Sequence, residues 1–104
     1  MNHLKLYENY NNIKKYIIWE FPNYHNENRK VSCIFQVIKA EYYFLYVEEL
    51  YIFDNNSLIE SDKNSKQIRY SEREYNEHVL YETDDLQDCI DMLLMLPYIN
   101  KYNL

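Results

Sequence analysis

The side chains able to do chemistry are few and scattered. His3, His25 and His78 lie in different segments, and none has a second His or Cys at metal-ligand spacing. Cys33 and Cys89 are far apart and have no second pair. That excludes a disulfide framework or zinc site and leaves them as buried reduced thiols. Cys33 paired with His78 would supply an activated nucleophile. Cys33 alternates with Val31, Phe35 and Val37, however, as an inert core thiol does. Asp84, Asp88 and Asp91 follow i, i+4, i+7 spacing, which sets three carboxylates on one side of a helix. Carboxylates suit a divalent cation. Side chains a turn apart on an exposed face do not converge on one ion, so these read as a solvated acidic face. No catalytic residue, metal ligand or cofactor is therefore expected. The chain also contains no Gly, so a phosphate-cradling P-loop, a dinucleotide fingerprint and a Gly-flanked nucleophile elbow are all absent.

What the sequence does concentrate is negative charge. The formal net charge is −6, which disfavours direct contact with nucleic acid or an anionic membrane. Residues 1–54 hold seven acids against six bases, and residues 55–104 hold ten against five. Within residues 72–91 eight acids face the single base Arg73. If Glu72, Glu74 and Glu77 flank the same edge as Asp84, Asp85, Asp88 and Asp91, they form a negative patch suited to a basic protein partner. Such a patch would mimic the phosphate array gripped by a nucleic-acid-binding protein, with one charge per ~1.7 Å of duplex. Tyr occurs 13 times. It offers contact area at low rotamer cost, and Tyr7, Tyr10, Tyr24, Tyr70 and Tyr75, with polar neighbours, are expected at the surface. Tyr70 and Tyr75 join the acids as expected partner-binding residues.

The elements that would carry these residues follow from periodicity. A short N-terminal helix is expected near residues 3–12, from Leu6, Tyr10 and the Ile13 that follows at helical spacing. Residues 15–21 are β-branched and aromatic and read as a strand ended by Pro22. Residues 30–39 alternate as a half-buried strand. The aromatic run 42–53 predicts strands at 42–47 and 50–53, the first pairing with 30–39 through a turn at 39–41. Asp54-Asn55-Asn56-Ser57 is a turn in which Asn replaces Gly in the left-handed region, and residues 60–66 read as a polar loop. Residues 67–82 carry two patterns. Strands at 67–70 and 78–81 are expected, yet Ser71-Glu72-Arg73-Glu74 matches a helix capping box. A C-terminal helix starts at a Thr83 or Asp84 cap, presents Leu86, Cys89, Ile90, Leu93 and Leu96 to the core, and should not run far past Pro97.

The expected fold is one α+β domain over residues 1–104: an antiparallel sheet of four to five strands with the C-terminal helix packed on it. An open edge at 42–53 would allow a homodimer. The longest apolar run, Tyr42 to Val47, is too short to span a bilayer, and the first residues lack the apolar core of a secretory signal. An intracellular, cytoplasmic location is expected. Asn, Tyr, Ile and Lys together fill 44 of 104 positions. In this Asn- and Tyr-rich, Gly-poor composition, and in the acidic stretch Glu72 to Asp91, the chain resembles small phage-encoded anti-defence inhibitors, including anti-CRISPR proteins. In size and charge it is similar to toxin-neutralising immunity proteins. The resemblance implies a non-catalytic inhibitor that occludes a basic, nucleic-acid-binding surface in the host cell cytoplasm. An immunity protein and a small structural or regulatory subunit stand as alternatives.

Overall fold

A computed structural model describes residues 15–22 and 29–102, with side chains through residue 99. The element order is β1 (Lys15–Phe21), β2 (Val31–Glu41), β3 (Phe44–Asp54), β4 (Ser57–Glu60), β5 (Ser65–Arg69), α1 (Glu72–His78), β6 (Val79–Thr83) and α2 (Leu86–Tyr102). The fold is α+β, as expected: an antiparallel sheet with the C-terminal helix packed on it. The predicted helix over 3–12, together with His3, His25, Tyr7, Tyr10 and Tyr24, lies outside the described residues.

The sheet runs β4-β3-β2-β1-β6, and β5 pairs with the first half of β3. β4 and β5 thus lie along the same side of β3, opposite residues 51–54 and 44–48 respectively. This corrects two expectations. From Phe44 onward the run is one strand, and it is interior, so the open edge foreseen at 42–53 for a homodimer is closed by β4 and β5. Its apparent break at Glu48-Glu49 marks a β-bulge: Phe35 opposes Glu49 while Ile34 opposes Tyr51, leaving Leu50 as the extra residue. A bulge resets the inward/outward phase, so one strand reads in the sequence as two. β4 raises the count to six strands.

The hairpins turn without Gly. Asn55 and Asn56 take φ of 51° and 61° in the β3–β4 turn, the double left-handed geometry of a tight hairpin. The β2–β3 turn is at Tyr42-Tyr43, two residues later than predicted, with Tyr43 at φ 73°. That conformation is costly for a bulky side chain. It is held by Tyr70 donating its backbone N–H to the Tyr43 carbonyl at 2.9 Å.

Each face of the sheet has its own core. On one, Ile17, Trp19, Val31, Cys33, Phe35, Val37, Leu45 and Val47 pack with Tyr70, Tyr75 and Val79. On the other, Ile18, Ile34 and Leu50 pack with Cys89 and Leu93 of α2. The helix α1 covers the first face and α2 the second, so the chain is a three-layer arrangement. Residues 71–77, where the sequence carries both a strand and a helix pattern, form α1 over Glu72–His78. Ser71 caps it, accepting from the Glu74 backbone N–H at 3.1 Å. Both patterns are realised in succession: the capped helix ends at His78, and the β-prone Val79-Leu80-Tyr81 opens β6, close to the strand expected at 78–81.

α2 also differs in detail from its prediction. Its cap is Asp85, whose Oδ1 accepts from the Gln87 backbone N–H at 3.0 Å, braced by Thr83 Oγ1 accepting from the Asp85 N–H at 3.2 Å. It continues past Pro97 to Tyr102. Pro97 forfeits only the bond its missing N–H would make to the preceding turn, and its fixed φ is itself helical.

Candidate functional site

β6 is an edge strand. Among the described residues it pairs with β1 alone, with Leu80 as the extra residue of a bulge between Ile18 and Trp19. The sequence Glu72 to Asp91 wraps this edge. α1 sits over β1 and β6 on one face, and α2 sits over β6, β1 and β2 on the other. The two acidic clusters therefore occupy opposite faces but flank one strand.

Glu72, Glu74, Glu77, Asp84, Asp85 and Asp91 are exposed. Their local commitments differ. Glu77 accepts from Arg73 Nε at 2.8 Å, an exposed pair one helical turn apart. Asp85 is engaged as the helix cap, and Asp91 Oδ1 accepts from the Gln87 amide at 3.0 Å. Asp88 is less available. Its Oδ2 accepts from Tyr81 Oη–H at 2.8 Å and from Thr83 Oγ1–H at 2.9 Å, tying α2 to β6. That hydrogen bond is the main reason the Tyr81 phenol is held above its ordinary pKa. Glu82, in β6 itself, accepts from Tyr75 Oη–H at 2.8 Å.

Tyr70 and Tyr75, expected on the binding surface, are buried at 9% and 1% exposure. The polar neighbours of Tyr75 point outward because α1 presents this one residue to the core, while Tyr70 turns inward just after β5, before the helix starts. Tyr75 stands edge-on to Trp19 with ring centroids 6.3 Å apart, and Tyr70 packs beside it at 5.7 Å. Both leave the partner-binding set as core residues.

The candidate nucleophile pair does not assemble. His78 stacks on Trp19 at 5.2 Å and 9° between planes. Its Nδ1 is 2.9 Å from the Glu20 carbonyl; a carbonyl only accepts, so Nδ1 carries the hydrogen. Cys33 lies instead beside Glu49, and burial followed by that carboxylate pushes its thiol up to about 12. Cys89 is likewise raised to about 12, by burial and then Asp88. Neither thiol is a nucleophile at neutral pH. Among the described residues, no group of three or more His, Cys, Asp or Glu is placed to hold a metal ion.

One polar cluster escaped the sequence reading. Glu49, 4% exposed, receives Lys66 Nζ at 2.7 Å and Ser61 Oγ–H at 2.9 Å. A buried carboxylate requires such partners, and here they pin β5 and the β4–β5 loop to the bulge in β3. The available signal was that Glu49 shares the inward phase of Val47. Among the described residues no helix is long and apolar enough to cross a membrane. The chain matches no family model, no curated protein and no solved structure.

Proposed function

We propose that this protein is a non-catalytic inhibitor that binds a basic, nucleic-acid-binding protein along the β6 edge and occludes its phosphate-binding surface. The observation that carries the reading is the placement of α1 and α2 on opposite faces of one edge strand, so that exposed acids of both helices flank β6. Six exposed carboxylates border this rim. Their potentials add in the space outside the edge, which steers a cationic partner and fixes its register. Asp88 and Glu82 hold the rim's shape through hydrogen bonds, while Glu72, Glu74, Asp84 and Asp91 carry the contact charge. The inert thiols agree with a binding role.

The test is capture by the tagged chain from a cell lysate, with and without competing duplex DNA, beside the variant Glu72→Lys/Glu74→Lys/Asp84→Lys/Asp91→Lys. The expected result is a nucleic-acid-binding protein retained by the native chain, displaced by DNA, and lost with the variant. Retention that is unchanged in the variant would overturn the proposal, and a DNA-insensitive toxin in its place would favour the immunity-protein reading.

A further inference from the structure

Among the described residues the sheet has a second outer strand, β5, which carries cations: Lys63 and Arg69 are exposed, Lys66 is held by Glu49, and the only acids on this side are Glu60 and Asp62 before the strand begins. β5 pairs only with β3 among the described residues. Residues 63–69 contain Lys63, Lys66 and Arg69 and no acid. β5 and β6 are each five residues long. Because β5 is antiparallel to β3, β6 is antiparallel to β1, and β1 and β3 share a direction, β5 and β6 run the same way within the sheet.

We propose that a second copy of this chain adds head-to-tail to the sheet, its β5 lying parallel to the outer edge of β6. In that register Arg69 reaches the end of β6 where Asp84 and Asp85 stand, and Lys63 reaches the end where α1 delivers Glu77. Side-chain alternation supports the same placement. Ile68 packs into the α1-side core, so Arg69 points to the α2 side of the sheet, where Asp84 and Asp85 open α2. Like edges exclude each other: β5 against β5 opposes cations, and β6 against β6 opposes acids. Edge charges that guard a sheet against symmetric pairing therefore leave the unlike pair as the permitted one. A heterologous contact of this kind builds open chains or closed rings. The Leu80 bulge limits regular pairing to Tyr81–Thr83, so charge supplies the strength and the association is salt-sensitive.

This inference shares the β6 edge with the inhibitor reading but does not depend on it, and it is tested on the purified chain alone, by sedimentation velocity from about 10 μM to about 1 mM. The native chain should gain mass with concentration at low salt, and salt near 0.5 M should weaken association by about tenfold. Lys63→Glu/Arg69→Glu alone, and Glu77→Lys/Asp84→Lys alone, should each stay monomeric, because the side chains facing each other at the two ends of the proposed pair (63 with 77, 69 with 84) then carry the same sign. An equimolar mixture of the two should associate again. A native chain monomeric at every concentration, either variant associating like the native chain, or a mixture that stays monomeric would each overturn the proposal. Should a double variant fail to give the native circular dichroism spectrum, the single reversals Arg69→Glu and Asp84→Lys replace it. Lys63→Glu/Arg69→Glu leaves every carboxylate of the rim in place, so loss of self-association with partner binding intact separates the two proposals.

Discussion

The two faces of the sheet reach the same end by different means. The α1 face is sealed by aromatic rings: Trp19 meets Phe35 at 6.5 Å and Tyr75 at 6.3 Å, and Phe21 meets Phe35 at 6.4 Å. Its covering helix is seven residues long and buries one residue, Tyr75. The α2 face has an aliphatic centre, Ile18, Ile34 and Leu50, bordered by Tyr16, Tyr51, Phe53 and Tyr81, and it is closed by a 17-residue helix that commits Cys89 and Leu93 fully and Leu86, Ile90, Met92 and Leu96 in part. A short helix held by one large anchor is fragile at a point, and a long helix held by a stripe shares the load. Both must stay docked for the acids they carry to border β6.

The comparison makes graded predictions. Tyr75→Ala should cost about 4 kcal/mol, since it removes a fully buried ring and the bond to Glu82 together. Leu93→Ala should cost less, about 3 kcal/mol, because neighbouring apolar residues of α2 keep the helix docked. Equal losses in urea denaturation, or the reverse order, would break the asymmetry between the faces. Alkaline pH strikes both cores at once. Burial pushes each thiol up to about 12 from its ordinary 9.0, so the unfolded chain releases protons first as pH rises. Stability is then complete below pH 9 and falls by about 1.4 kcal/mol per pH unit per thiol up to about pH 12. Denaturation midpoints between pH 8 and 10.5, compared with Cys33→Ala/Cys89→Ala, check the sign; a slope that survives removal of both thiols would refute it. Smallest is Ser71→Ala, which removes the α1 cap and should cost about 1 kcal/mol, visible as faster amide exchange in α1 with α2 unchanged.

Much of the frame was legible from local pattern. β1 and β2 were readable from alternation and aromatic content, the left-handed Asn pair from its turn chemistry, and α2 from its apolar stripe. For α1 the sequence carries the deciding cap beside a competing strand pattern, and β3 reads as two strands because a bulge, set by one or two backbone positions, resets its alternation. Tyr70 and Tyr75 were misplaced because polar neighbours in sequence predict exposure only when the element's inward face is known. Among the site residues, the exposed acids could be chosen by charge counting, but the structural duty of Asp88 could not. Its partners Tyr81 and Thr83 come from another element.

Charge, the absence of Gly-dependent sites, and the alternating and helical stripes were determined by the sequence itself, since each depends on residue type and near neighbours. Which carboxylates stand together was decided only by tertiary structure. A helix packs wherever its buried face finds a core, and here two helices found cores on opposite faces of one edge strand. The same folding buried Glu49 against Lys66, set a basic edge opposite the acidic one, and took Tyr75 from the surface to anchor α1, because long-range strand order fixes what no local window contains.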